Sequence, residues 1–380
     1  MVVIFMKKTL VRYAALLCAI FMILSSFVGC SDDSSTNETQ APTTTTEPEV
    51  IKTDYNRLTG LDDLSEQAKG KRPVAIMINN IKASLPQYGI SQADLMFECL
   101  VEGGITRMMA VYADYTKIPS VCSVRSCRYY YPILAQGLDA VYICFGSNET
   151  LGTPTLKRLG IDYFHGAEKF DEQLFGRDQN RLGKYSREHT AYVKGENIPQ
   201  VLETNGVRSD YLEEKDDYIF NFREPGEFKK ASKTSCDKVN LAFSNAYYTT
   251  FTYDSENKVY LKQHSGKAHM DTASGKQLAY TNVFVLETDV SLYGNGPLVQ
   301  MDWKGGTGYY ITANSVKKIT WTKKTESSNI KIKDAETGKS VKVNPGKSYI
   351  GIIDYGKASL SSAGEKVVFT SSTTTTATQG

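Results

Sequence analysis

Three carboxylates recur at a constant spacing in the first half of the chain. Asp94, Glu98 and Glu102 lie four residues apart, so they share one face in a strand and in a helix alike. Carboxylates grouped in this way can exchange protons with a substrate, as in hydrolases, or can pair with cations. The alternative is a solvated face that carries surface ion pairs and has no role in binding.

The position of Arg107 decides between these chemistries. Gly103-Gly104 predicts a two-residue hairpin turn, which places Arg107 opposite Leu100 and on the carboxylate face. It would then lie diagonal to Glu98 and Glu102, within reach of a long side chain. Because an arginine among carboxylates lowers their pKa values, it favours fixed charge over proton transfer. The segment therefore predicts an Arg/carboxylate pocket.

A second polar group follows, between a predicted strand and a predicted helix. Arg125 and Arg128 flank Ser126, which is the predicted N-cap of a helix over residues 126–137. Backbone N–H groups at a helix start and two guanidinium groups suit a carboxylate or a phosphate. The alternative is that these arginines pair with the three carboxylates, and both interpretations can hold together.

Histidines supply the remaining acid/base candidates. His189 is the best of them, since charged neighbours precede an apolar strand there, although a lone histidine is often a hydrogen-bonded structural residue. His264, His269 and Asp271 suit a metal, but a polar hairpin tip explains them as well, and we predict no metal site. The sequence has no phosphate-binding loop, HExxH, paired CxxC or Gly-x-Ser-x-Gly motif, so we predict no cofactor.

The beginning of the chain indicates where these residues work. A basic stretch around Lys7-Lys8 precedes an apolar run from Tyr13 to Val28, and Gly29-Cys30 follows. This order is typical of a secretory signal whose first mature residue, Cys30, carries a lipid. We therefore predict a protein attached to the cell membrane through lipidated Cys30, on the extracytoplasmic face. An uncleaved membrane anchor is the alternative, although the apolar run is short for a spanning helix.

Cysteine usage leaves the redox state open. Of the 7 cysteines, Cys18 belongs to the predicted signal peptide and Cys30 is the predicted lipidation site. The remaining ones are Cys99, Cys122, Cys127, Cys144 and Cys236. Their number is odd, so at least one thiol stays free or pairs with another molecule.

Composition and patterning predict a two-domain α+β protein. Apolar residues make up 41% of the chain, charged residues 23%, and the formal net charge is +2. These values are ordinary for a globular protein and argue against nucleic acid as a partner. The predicted boundaries are 1–29 for the signal peptide, 30–54 for the lipidated cysteine and a disordered Thr/Pro-rich tether, 55–215 for an N-terminal α/β domain, 216–369 for a smaller β-rich, barrel- or sandwich-like domain, and 370–380 for a disordered tail.

Several segments together resemble a known family. They are Leu58-Thr59-Gly60-Leu61, 72–80, Ser91-Gln92-Ala93-Asp94, Glu98, 101–107, 124–128, 139–142, His269-Met270-Asp271, Asn282-Val283, Trp321-Thr322-Lys323 and Asn344-Pro345-Gly346-Lys347. The chain is similar over about residues 55–355 to the YerB-like bacterial lipoproteins, a family defined as a two-part domain of unknown function. The resemblance implies a lipoprotein with two linked domains and implies no activity. Cys144 stands where that family pattern has a histidine.

Three functions are compatible with these observations. We expect a lipoprotein that binds an anionic small molecule or an envelope protein through its Arg/carboxylate pocket. An envelope hydrolase that uses Glu98 or Glu102 as acid/base is the enzyme alternative. A scaffold that docks a protein partner on a Tyr-rich sheet is the third.

Overall fold

The computed structural model describes residues 55–212 and 218–369. The predicted signal peptide, Cys30, the tether and the tail all lie outside the described residues. The helices of the described part are α1 (Tyr130–Gly137), α2 (Gly152–Leu159) and α3 (Ile198–Thr204). Short 3-10 turns cover Glu66–Ala68, Lys82–Ser84, Ile90–Gln92, Glu102–Gly104, Arg187–His189 and Gly195–Asn197.

Strands make up most of the regular structure. Those of the first half are β1 (Val74–Asn79), β2 (Leu95–Leu100), β3 (Thr106–Tyr112), β4 (Val121–Cys122), β5 (Val141–Cys144), β6 (Tyr163–His165), β7 (Phe175–Arg177), β8 (Ala191–Val193) and β9 (Asn221–Phe222). Those of the second half are β10 (Lys238–Ala242), β11 (Tyr248–Asp254), β12 (Val259–His264), β13 (Lys267–Ala268), β14 (Met270–Asp271), β15 (Lys276–Gln277), β16 (Ala279–Tyr280), β17 (Asn282–Thr288), β18 (Val290–Leu292), β19 (Val299–Met301), β20 (Gly305–Thr312), β21 (Ser315–Thr322), β22 (Lys331–Asp334), β23 (Lys342–Val343), β24 (Ser348–Asp354), β25 (Ala358–Ser362) and β26 (Glu365–Lys366).

A 10-stranded mixed sheet organises the molecule, in the order β22-β21-β20-β17-β24-β2-β3-β1-β5-β6. Strands from both halves of the chain lie in it, because β2 pairs in parallel with β24. A 7-stranded sheet contains β10, β11 and β12. This strand-rich architecture with short helices is compatible with the predicted α+β class, while the division into two domains at residue 215 stays a prediction.

Alternation along the central strands explains the layers. In β1, all six residues are buried, and Ala75 and Met77 face one side while Ile76 and Ile78 face the other. The first side packs against α1 and α2, and the second packs against β10 and β11 of the 7-stranded sheet. Because strands covered on both sides carry few polar residues, the polar ones that remain mark unusual positions.

One end of the 10-stranded sheet gathers the ends of several strands. β1, β5 and β6 run parallel, so their carboxyl ends lie together. Arg107, in β3, pairs with Asn79 at the end of β1 and with Cys99 in β2. The crevice at the carboxyl ends of parallel strands is where open α/β sheets usually bind ligands.

Candidate functional site

The pairing register of the hairpin between β2 and β3 differs by one residue from the predicted register. Thr106 pairs with Leu100, so a five-residue connection replaces the two-residue turn predicted at Gly103-Gly104. Both glycines have positive φ, at 72° and 68°, and form part of a 3-10 turn. Arg107 therefore pairs with Cys99 and not with Leu100. A slip of one residue moves a side chain to the other face, so the predicted position of Arg107 on the Glu98 face is wrong.

Glu98 is a core residue. It is 1% exposed and forms an ion pair with Lys262 of β12 at 3.1 Å. Its carboxylate also accepts hydrogen bonds from Asn80, Thr106, Thr249 and Tyr349. Although burial opposes ionisation, Lys262 and these donors hold the pKa of Glu98 below its ordinary value. We call Glu98, Lys262 and these four hydrogen-bond donors the core network.

Asp94 lies apart from both other carboxylates, before the start of β2. It accepts a hydrogen bond from the Ala113 N–H at 2.8 Å and another from Asn56 at 3.3 Å. Burial raises its pKa to about 6, although these hydrogen bonds and Lys347 oppose the shift. The predicted single face of three carboxylates is therefore wrong, because the polar partners of Asp94 and Glu98 are different and Glu102 lies in the connection.

Arginines instead gather at the sheet end that contains Arg107. The Arg128 Nε donates to both carboxylate oxygens of Glu102, at 2.6 and 2.8 Å. Arg125 pairs with Glu188 at 2.6 Å. The predicted alternative of arginine–carboxylate pairing thus holds for Glu102, while Asp94 and Glu98 have other partners.

Arg107 lies beneath these two ion pairs. It is 5% exposed and donates one hydrogen bond, to the Ser126 carbonyl at 3.0 Å. Its Nε is buried and has no hydrogen-bond partner among the described residues. Burial, then the charges of Arg128 and Arg125, lower its pKa to about 10. Arg107 therefore stays charged at neutral pH, and no carboxylate of the described residues forms an ion pair with it, although the nearby charge of Glu102 opposes the lowering of its pKa. We call Arg107, Arg125, Ser126 and Arg128 the arginine cluster.

The segment with Ser126 is held against the loop that follows β5. The Phe145 N–H donates to the Arg125 carbonyl at 3.0 Å, and the Cys127 N–H donates to the Gly146 carbonyl at 2.8 Å. A Cβ atom at Gly146 would lie 2.6 Å from the Ser126 Oγ, and the φ of Gly146 is +96°, so the close approach requires glycine. The prediction that Ser126 is the N-cap of a helix over residues 126–137 is wrong, because α1 begins only at Tyr130.

His189 is buried beside the cluster. The Asn79 side-chain nitrogen donates to its Nδ1 at 2.9 Å, which leaves the ring proton on Nε2, 3.6 Å from the Glu188 carboxylate. Burial, Arg125 and Arg181 lower the pKa of His189, and Glu188 opposes them. The imidazole is therefore neutral at neutral pH and is hydrogen-bonded.

Sequence reasoning missed the two partners that place His189 and Arg125. Glu188 precedes His189 directly, and Asn79 is the last residue of the apolar strand β1. A polar residue at the carboxyl end of a buried strand is a signal that could have identified Asn79. Nothing local marks Glu188, because its partner Arg125 lies 63 residues away.

The described residues offer no metal centre, since they contain no group of three or more His, Cys, Asp or Glu that could hold an ion. Asp271, considered with His264 and His269 above, accepts hydrogen bonds from the N–H groups of Gly89 and Ser91. The five cysteines of the described residues are free thiols and are buried.

Comparison with known proteins places the chain in a family. The family described as "Protein of unknown function (DUF3048) N-terminal domain" matches residues 58–208, and its C-terminal counterpart matches residues 239–350. The chain belongs to this YerB-like family, as the resemblance predicted.

A relative and a solved structure agree with this placement. "Putative lipoprotein YerB" of Bacillus subtilis (strain 168) is 28% identical over 324 residues, which cover 84% of this chain and 92% of that protein. The crystal structure of the YerB protein from Bacillus subtilis has a TM-score of 0.66 and 25% identity, over 80% of this chain and 99% of that one. None of the helices in the described ranges is long and apolar enough to cross a membrane.

Proposed function

We propose that this protein binds the anionic group of a ligand, a carboxylate or a phosphate, at the arginine cluster. The observation that carries the proposal is the buried Arg107 Nε, which has no partner among the described residues. A buried N–H of a charged group that has no hydrogen-bond partner costs about 1–3 kcal/mol or more, so folded proteins rarely keep one without a use. A bound anion would remove this cost.

The charge balance of the site favours an anion. Glu102 and Glu188 each pair with one outer arginine, so the charge of Arg107 is left over. Arg125 and Arg128 are partly exposed, with 23% and 16% of their side-chain surface accessible. Guanidinium groups hold carboxylates and phosphates through paired hydrogen bonds, which makes arginine the usual residue for this task.

A hydrolase has less support in this geometry. Glu98 is enclosed in the core network and paired with Lys262, and Glu102 is paired with Arg128. A general acid or base needs a carboxylate that can reach a substrate and change its protonation state. Both glutamates are already paired with cations, and Glu98 is also enclosed in the core.

Titration with inorganic phosphate and with acetate tests the binding proposal. Wild-type protein should release or absorb heat on binding one of these anions, and Arg125→Ala and Arg128→Ala should abolish that signal, since each variant removes a guanidinium group. Arg158→Ala is the matched control, because Arg158 is an exposed arginine that pairs with Glu326 outside the cluster. Absence of binding in the wild type, or equal binding in all variants, would contradict the proposal.

We further propose that Cys30 carries the lipid anchor, outside the described residues. The order of basic stretch, apolar run and cysteine supports it, as does the name of the Bacillus subtilis relative. Cys30→Ala should shift the protein from the detergent phase to the aqueous phase or leave it as a precursor. Cys236→Ala is the matched control. Detergent-phase partitioning of Cys30→Ala equal to that of the wild type would show that the anchor lies elsewhere.

A further inference from the structure

A groove of about 400 Å³ follows the outer edge of β6, the last strand of the 10-stranded sheet. β6 pairs with β5 on one side, and the groove lies along it. Its walls are formed by residues 161–165, by Glu168, Lys169 and Asp171, and by Asn205 and Val207. This groove is separate from the arginine cluster, so its function does not depend on anion binding there.

The main chain of β6 faces the groove with hydrogen-bonding groups. The Asp162 carbonyl accepts a hydrogen bond from β5, and the Gly166 N–H donates one to β5. Because strand residues alternate, the N–H and C=O of Tyr163 and the N–H of His165 point the other way, towards the open edge. In the described residues, no main-chain group pairs with Tyr163 across that edge. Such an edge is a template for another strand.

His165 adds a directed donor. Its Nδ1 accepts a hydrogen bond from the Glu168 N–H at 2.9 Å, so its proton is on Nε2. That Nε2 is buried and has no partner within the described ranges, and the side chain is only 10% exposed. An occupant of the groove that offers a carbonyl or another acceptor would satisfy it.

The charges that line the groove are mainly negative. Asp162, Glu168 and Asp171 face one lysine, Lys169. The Asp162 carboxylate pairs with the buried Arg72, whereas Glu168 is 54% exposed. An occupant with positive side chains therefore complements the groove better than an acidic one.

We propose that the β6 groove binds an extended peptide segment rich in Lys or Arg, which adds to β6 as a further strand. The open main chain of Tyr163 supplies the strand pairing, and the His165 Nε2–H donates a hydrogen bond to one acceptor group of the segment. Glu168 and Asp171 then select basic side chains. A strand of only three residues makes few main-chain hydrogen bonds, so these side-chain contacts must supply much of the affinity.

Fluorescence anisotropy with two labelled peptides tests this site on the mature chain, residues 30–380 with Cys30→Ala. The probes are Lys-Val-Lys-Val-Lys and Glu-Val-Glu-Val-Glu, which differ in charge and have similar strand propensity. We expect the lysine peptide to bind at least about tenfold more tightly. Its binding should also slow hydrogen exchange of the Tyr163 and His165 amides.

Variants locate the bound peptide. Glu168→Gln and His165→Phe should each weaken binding of the lysine peptide by about fivefold or more, and the exposed Glu168 can change with little effect on folding. Glu256→Gln is the control, since Glu256 lies in the exposed loop between β11 and β12. Equal affinity for both peptides, unchanged affinity in Glu168→Gln, or unprotected β6 amides would overturn the proposal.

Discussion

Charged residues are concentrated in two regions of the molecule, and the regions differ in whether those charges are paired. In the core network, Glu98 and Lys262 are 1% and 0% exposed, and their ion pair is surrounded by hydrogen-bond donors. In the arginine cluster, the outer ion pairs are partly exposed, and the Nε of the inner Arg107 has no hydrogen-bond partner in the described part of the chain. The core network thus balances its charges internally, and the arginine cluster does not.

This difference separates a structural role from a binding role. The core network joins β2 and β24 of the 10-stranded sheet to β11 and β12 of the 7-stranded sheet, so it fixes how the two sheets pack. A fully satisfied buried network leaves no group for a ligand. The arginine cluster has a charge to spare at the carboxyl ends of parallel strands, and the partly exposed Arg125 and Arg128 lie beside it.

Two matched substitutions, one in each region, test this difference most directly. Lys262→Met leaves the Glu98 carboxylate buried without a cation, and we expect a loss of about 3–5 kcal/mol in the free energy of unfolding. Arg107→Met removes a buried guanidinium group whose Nε has no hydrogen-bond partner among the described residues, so the free energy of unfolding should stay the same or rise by about 1–3 kcal/mol. Urea unfolding followed by circular dichroism measures both.

A double variant tests whether the unpaired charge of Glu98 causes the loss of stability in Lys262→Met. Combining Glu98→Gln with Lys262→Met removes both charges of the core network and should recover much of the loss, since no unpaired ion remains. If Arg107→Met is as destabilising as Lys262→Met, the arginine cluster is a second structural network, and the binding proposal fails with it.

Local patterns predicted the strands that flank both regions. The short apolar run Val74–Ile78 predicts a buried strand and makes up most of β1, and the apolar run 140–145 predicts another and contains β5. Such runs are identifiable because a buried strand needs consecutive apolar residues over a short length. The helix predicted over 126–137 begins later, at Tyr130, and the preceding residues 126–129, which include Ser126 and Arg128 of the cluster, are not helical.

Pairings between distant residues could not be predicted in this way. Lys262 lies far from Glu98 in the sequence, and nothing in the residues around either one indicates that the two form an ion pair. Gly103-Gly104 predicted a two-residue connection between β2 and β3. The actual connection has five residues and contains a 3-10 turn at Glu102–Gly104. The longer connection shifts the pairing register by one residue, which places Arg107 on the other face, away from Glu98 and towards the segment with Ser126.

The dependence of stability on pH also distinguishes the two regions, because each has a buried side chain with an unpartnered nitrogen in the described residues and only one of these side chains can lose its charge. Both ring nitrogens of His264, beside the core network, lack partners among the described residues. Burial, then repulsion by Lys262, lowers its pKa from 6.5 to about 4, although Glu98 opposes the shift. His264 can therefore avoid a buried charge by staying neutral, whereas Arg107, with a pKa of about 10, cannot.

The sign of the pH effect follows from this shift. Between pH 6.5 and 4 the unfolded chain binds a proton at His264 and the native protein does not, so acid favours unfolding. The contribution is complete above pH 6.5 and falls by about 3 kcal/mol as the pH approaches 4. Asp94, whose pKa rises to about 6, has the opposite dependence, so the wild-type curve alone does not isolate His264.

Comparing the wild type with His264→Phe removes the contribution of Asp94, because both proteins share it. The difference in unfolding free energy between them should shift in favour of the variant by on the order of 3 kcal/mol from pH 7 to pH 4, measured by urea unfolding at each pH. Arg107→Met, compared with the wild type in the same way, should show a constant difference, because Arg107 stays charged throughout this range. A constant difference for His264→Phe would mean that the histidine is not held neutral by burial. The core network would then keep a buried charge in excess, as the arginine cluster does, and the distinction between the two regions would be lost.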